Sequence, residues 1–183
     1  MSPWSLRLTK AVLPDDFARR RRQLLNHMHP GSIAVIPGAV QYRRNNDIFF
    51  PFRQNSDFYY LTGFREPDAL LVLIPGRKQG ETIVFCRERD PLLERRDGVI
   101  LGPERCQSAL GVDDAFPICD VDEILPGLLE ARSQVYMNLG EHAAWDERVL
   151  TWLSQLASQR PAVVATVQPV SYTHLRAHET NSN

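Results

Sequence analysis

The sequence predicts an α/β domain, a mixed, mostly central β-sheet of about five to six strands with helices on both faces. Two short aliphatic runs end in Pro-Gly, Ile33–Ile36 before Pro37-Gly38 and Leu70–Ile74 before Pro75-Gly76. Both read as strands, and Leu70–Ile74 as one buried on both faces. They are interleaved with longer segments whose apolar residues recur at helical spacing, such as Phe17, Leu24, Leu25 and Met28. With 183 residues, 43% of them hydrophobic, the chain fits one domain of ordinary size with a core of its own.

The elements follow in order. Pro14 to Met28 is expected to form the first helix, with Asp15 and Asp16 at its amino end and Pro30-Gly31 stopping it. Four consecutive arginines, Arg19 to Arg22, sit in its middle and read most simply as a solvated face, with an intersubunit or interdomain contact as the sharper option. Ile33–Ile36 is the first strand. Asp57-Phe58-Tyr59-Tyr60-Leu61 places large rings at successive positions, which suits one turn of helix or an irregular segment packing two ways. Those rings read as core, and Gly63 supplies a conformation that a side chain would hinder. Leu70–Ile74 and Thr82–Cys86 are joined by a connection rich in turn formers and form an expected antiparallel ribbon.

Asp90 to Ala109, broken by Gly98 and Gly102-Pro103, reads as a short helix, a loop and another short helix. Gly111 to Phe116 leads into a short edge strand near Pro117. Asp120 to Arg132 is expected to be helical, unless Pro126 moves the start of the helix to Leu125. Gln134–Asn138 is a further strand, and Glu141–Leu156 the last helix, with Trp145, Val149, Trp152, Leu153 and Leu156 on one side.

A formal charge of −1 gives no electrostatic footprint for nucleic acid or for a membrane surface. No segment approaches the ~18 uninterrupted apolar residues of a membrane span. The first residues lack a charged region, an apolar core and a cleavage site, so no export is expected. Cys86, Cys106 and Cys119 have no metal spacing and fit a reducing cytoplasm.

A search for chemistry returns little. His27 and His29 are two apart and cannot face one ion from a regular helix. His142 beside Glu141 reads as surface or cap. Asp113-Asp114 and Asp120-Val121-Asp122-Glu123 stand where helix amino ends are expected, and the helix dipole explains them without catalysis. No dinucleotide turn, phosphate loop or Gly-x-Ser-x-Gly elbow is present. No catalytic residue and no metal ligand is assigned, and the chain alone is not expected to be a complete catalyst.

The segment Phe49 to Phe64, with Arg53-Gln54-Asn55-Ser56-Asp57-Phe58-Tyr59-Tyr60-Leu61-Thr62-Gly63-Phe64 followed by Glu66-Pro67-Asp68-Ala69, resembles the signature of the amino-terminal, creatinase-like domain of Xaa-Pro aminopeptidases. The resemblance runs from about Phe17 to Leu156. It implies a mixed twisted sheet flanked by helices, oligomer contacts (a dimer or tetramer) and a wall of a neighbouring subunit's active site. It also implies a following pita-bread domain with a dinuclear metal site, usually manganese, acting on peptides with proline second.

By position in the resembling family, Asp47 falls in the loop near the substrate entrance, although a loop-stabilising hydrogen bond explains an aspartate there equally well. Arg53 and Tyr60 are the next candidates for entrance or neighbouring-subunit contacts. Arg96 stands where the family often has a tryptophan, a departure that exchanges an apolar ring for a cation. The domain is expected to span residues 14–170 after an extension at 1–13. Residues 171–183 resemble a translated sequencing-adapter peptide and read as a non-native tail, which places the catalytic domain beyond this chain. Two other readings stay open: a non-catalytic peptide- or protein-binding module, as in the related domain of a histone chaperone, and a prolidase restricted to dipeptides.

Overall fold

A computed structural model describes residues 14–45, 48–130, 132–159 and 166–169. The expected tail, the extension and Asp47 lie outside the described residues. The elements run α1 (Pro14–His27), β1 (Ser32–Pro37), β2 (Arg43–Asn45), β3 (Ile48–Phe49), α2 (Ser56–Thr62), β4 (Leu70–Leu73), β5 (Thr82–Cys86), α3 (Pro91–Asp97) and α4 (Gly102–Leu110). They continue through β6 (Asp114–Pro117), a 3-10 turn (Ile118–Asp120), α5 (Val121–Leu129), β7 (Gln134–Met137), α6 (Ala143–Gln159) and β8 (Thr166–Pro169).

Six strands form one mixed sheet in the order β6-β5-β4-β1-β7-β8, and β2 and β3 make a separate hairpin. β4 pairs antiparallel with β5 and with β1, so the expected ribbon is present and extended by one strand. β1 and β7 are parallel, as are β5 with β6 and β7 with β8.

Every residue of β1, β4 and β5 is buried because helices cover both faces. On one face Ala34, Ile36, Leu71, Leu73, Val84 and Cys86 pack with Leu24 and Leu25 of α1, Met28 just after it, Phe58 and Leu61 of α2 and Cys106 of α4. On the other, Ile33, Val35, Leu70, Val72, Ile83 and Phe85 meet Val121, Leu125 and Leu129 of α5 and Trp145, Val149 and Trp152 of α6. The strand period of two sends successive residues to these two cores. Each fully buried aliphatic or Phe side chain contributes about 1.5–3 kcal/mol of transfer free energy, so the three central strands dominate the stability.

Two local readings are corrected and one open alternative is closed. The arginine run is not a uniform solvated face, because Arg21 is 2% exposed. Its guanidinium donates to the carbonyls of Leu61 (2.9 Å), Leu110 (2.8 Å) and Gly111 (2.8 Å). These oxygens lie at the carboxyl ends of α2 and α4, where helical carbonyls lack intrahelical donors and the dipole favours a cation. Burial lowers the Arg21 pKa to about 10, an effect partly opposed by Asp113.

Asp113-Asp114 does not open a helix. Asp113 Oδ2 accepts from the amides of Glu81 (2.8 Å) and Thr82 (2.9 Å), and Asp114 pairs with Arg77 at 2.8 Å, which ties β6 to the turn before β5. Pro126 lies inside α5 rather than moving its start to Leu125, since the helix already begins at Val121. The missing proline N–H costs that helix one bond, and Val121, Leu125 and Leu129 retain it by burying a common face.

Candidate functional site

The aromatic segment is built around Gln54. Its Oε1 accepts from the amides of Ala39 (2.6 Å) and Asn55 (2.9 Å), and its Nε2 donates to the Glu66 carbonyl (2.8 Å). One side chain thereby joins the end of β1, the start of α2 and the approach to β4. Gly38 makes room for it, because a Cβ there would stand 3.0 Å from the Ala69 carbonyl and 3.1 Å from Gln54 Oε1. With both ends of its amide engaged inside the fold, Gln54 acts as a brace.

Asn55 caps α2, its Oδ1 accepting from the amides of Asp57 (2.9 Å) and Phe58 (3.0 Å). Its Nδ2 donates to Glu141 Oε1 at 2.6 Å, and the other oxygen of Glu141 accepts from Asn138. Glu141 thus ties the aromatic segment to the loop between β7 and α6. His142 follows it and caps α6 through its backbone carbonyl, which accepts from the amides of Trp145 and Asp146. Gly63 closes α2 in the left-handed region at φ 68°, with its N–H on the Tyr59 carbonyl. A Cβ at that position would lie 2.5 Å from the Phe17 ring.

This frame leaves Arg53 exposed on a cleft of 380 Å³ lined by Phe52, Arg53, Gln54, Ser56, Tyr59 and Arg65. Arg65 donates to the Tyr59 hydroxyl at 3.1 Å and lies over the Tyr59 ring at 5.5 Å. That bond raises its pKa further, so it is a cation at every accessible pH. Tyr60 does not share the cleft. Its ring sits under Arg20 of α1 at 4.2 Å, and its carbonyl accepts from the same guanidinium. The structure therefore groups Arg53 with Tyr59 and Arg65 and directs Tyr60 toward α1.

Arg96 belongs to the last turn of α3, and its side chain lies outside the described residues. The segment that carries it is fixed at both ends. Asp90 caps α3 by accepting from the Leu92 amide at 2.8 Å. Glu94 accepts from Arg89 (3.0 Å) and from the Ile100 amide (3.2 Å), and the Arg89 bond holds the Glu94 carboxyl below the usual carboxylate range.

Below the aromatic segment, Asp68 adopts φ 55°, and its amide donates to the Ala39 carbonyl at 3.2 Å. Burial raises its pKa, with Arg87 opposing. Among the described residues no three His, Cys, Asp or Glu side chains are grouped so as to hold a metal ion.

A family model described as "Aminopeptidase P, N-terminal domain" matches residues 17–136. The chain belongs to this family. Among curated relatives of the family, the Xaa-Pro aminopeptidase of Escherichia coli is 40% identical over 142 residues, covering 77% of this chain and 32% of that protein. The Haemophilus influenzae Xaa-Pro aminopeptidase is 38% identical over 142 residues, covering 77% and 33%. The solved aminopeptidase PepP of Pseudomonas aeruginosa superposes with a TM-score of 0.82 at 44% identity, covering 90% of this chain and 37% of that one. The chain thus spans about a third of the length of these curated relatives. The mixed sheet flanked by helices that the aminopeptidase P resemblance implies is the one found, with six strands.

Sequence reasoning missed Arg65, the Gln54 brace and the Asn55–Glu141 bridge. A signal existed for one of them: Asn55-Ser56-Asp57 ahead of an aromatic run is a helix-start pattern that marks Asn55 as a cap. Residue 141 carried none, because its partner at residue 55 is brought to it only by the parallel pairing of β1 with β7.

Proposed function

We propose that this chain is the amino-terminal domain of a metal-dependent Xaa-Pro aminopeptidase, which releases an N-terminal residue that precedes proline. The family match together with coverage of about a third of each relative carries this reading. In it, residues 14–170 form the domain, 1–13 an extension and 171–183 a non-native tail. The metal, manganese in a dinuclear site, would be held by a following domain and would supply the hydrolytic chemistry there.

This domain's own part is to wall and position. Asp47, Arg53, Tyr60 and Arg96 would serve the substrate entrance or contact a neighbouring subunit of a cytoplasmic homo-oligomer. The Gln54 brace supports such a role for Arg53, since it fixes the backbone that directly follows an exposed guanidinium. Arg96 in place of a tryptophan would offer a peptide a cation rather than a stacking surface.

The test is to read the source locus beyond Pro169, express the complete frame and assay a tripeptide and a dipeptide with proline second. Cleavage of the tripeptide that is lost with chelator and restored by manganese is expected. A genuine stop codon without a downstream ligand set would replace the enzyme by a binding module, and cleavage of the dipeptide alone would make it a prolidase.

A further inference from the structure

The cleft beside Tyr59 has a composition that the entrance role does not explain. Two of its six lining residues, Arg53 and Arg65, are arginines, and none is acidic. No carboxylate among the described residues pairs with either one. Arg65 uses one N–H on the Tyr59 hydroxyl, which orients the guanidinium over the ring and leaves its remaining donors to the cleft.

The surroundings have the same sign. Residues 40–65 hold four arginines against two aspartates in a chain whose formal net charge is −1. On the neighbouring hairpin, Arg43 and Arg44 lie over the rings of Phe49 and Phe50 at 5.7 and 5.9 Å. A guanidinium is planar and always charged, and two of them lining one cleft suit a carboxylate better than any neutral group. The aromatic floor of Phe52 and Tyr59 gives an extended chain apolar area to lie on.

We infer that this cleft is a carboxylate-binding subsite for acidic peptides, with Arg65 and Arg53 as its two cationic contacts. The inference rests on the proposed peptide-handling role for the choice of peptide as ligand, but its test needs no hydrolysis. The carboxylate can come from acidic side chains or from the free carboxyl end of the peptide. The two sources share the same chemistry at the arginines.

The test is titration calorimetry of the full 183-residue chain with three peptides: Ala-Pro-Ala-Glu-Glu with an amidated end, its Gln-Gln counterpart amidated, and the Gln-Gln peptide with a free end. One or both carboxylate-bearing peptides should bind about 5–10-fold more tightly than the neutral amide, with affinity falling as salt rises. The Arg65→Gln and Arg53→Gln variants should each remove most of that difference, with a smaller change for the neutral peptide than for the carboxylate-bearing ones. Which acidic peptide gains identifies the source. Equal binding of all three peptides, no binding of any, or a preference that survives both substitutions would overturn the inference. Failure of the aminopeptidase reading would show instead as absent hydrolysis by the complete protein with this charge preference intact.

Discussion

Replacing Arg21 by methionine removes the donor to three carbonyls while keeping the length of the side chain. The Leu61 oxygen is buried, and an unsatisfied buried acceptor costs about 1–3 kcal/mol. The Leu110 and Gly111 oxygens are partly buried, so water recovers some of their loss, and about 1 kcal/mol each is appropriate. Releasing a guanidinium whose pKa burial has lowered to about 10 offsets part of this. The net expectation is a loss of about 3 kcal/mol, which for a chain of this size lowers Tm by roughly 6–12 °C.

Arg21→Lys keeps the charge but cannot span two helix ends with one ammonium, and should lose about half as much. The assay is urea and thermal unfolding followed by far-UV circular dichroism, with Arg22→Met as the control. Arg22 is exposed and makes one long bond of 3.4 Å within its own helix, so its loss should stay within about 0.5 kcal/mol. If Arg21→Met unfolds within 0.5 kcal/mol or so of the parent, or if Arg22→Met loses as much, the double helix-end cap is refuted.

Two further outcomes are expected. Gly63→Ala adds a Cβ 2.5 Å from the Phe17 ring at φ 68° and should destabilise by about 2–4 kcal/mol; Phe17→Leu in the same chain should recover at least ~0.5 kcal/mol of that as coupling, and strict additivity in unfolding titrations would refute the contact. Asp68 has its folded pKa raised by burial, so its contribution to stability is full below the unfolded value and is lost as pH rises through the folded one. Asp68→Asn, which also suits φ 55°, should therefore raise Tm at pH 7 and lose that advantage toward pH 3, and a gain that does not change with pH would show that the charge is irrelevant.

The central strands were legible because Leu70–Leu73 and Thr82–Cys86 are buried on both faces, so their apolar runs need no partner to be recognised. The β2–β3 hairpin was not, because Arg43–Asn45 is polar and exposed at every residue and carries no alternation to read. Arg21 was misread with its neighbours although its helical phase gave it away, since it lies four residues from both Phe17 and Leu25 and three from Leu24, on the apolar stripe. At the site, the loop bearing Arg53 could be recognised by its residues. The cleft could not, because Arg65 joins it only after α2 has turned the chain and Gly63 has reversed it.

The position of β1 has a bearing on how the chain is made. One edge of this strand pairs with β4 through Ala34 and Leu73, the other with β7 through Ile33 and Val135. On a ribosome the first partner follows after some forty residues, but the second follows only after about a hundred, roughly 5–20 s at ordinary synthesis rates. Throughout that interval a strand that is wholly buried in the finished fold offers an unpaired parallel edge, and α6, whose tryptophans close the core beneath it, has yet to appear. A nascent chain of this family is thus most exposed to sticking and to chaperone capture in the middle of its own synthesis, between the completion of β5 and the arrival of β7.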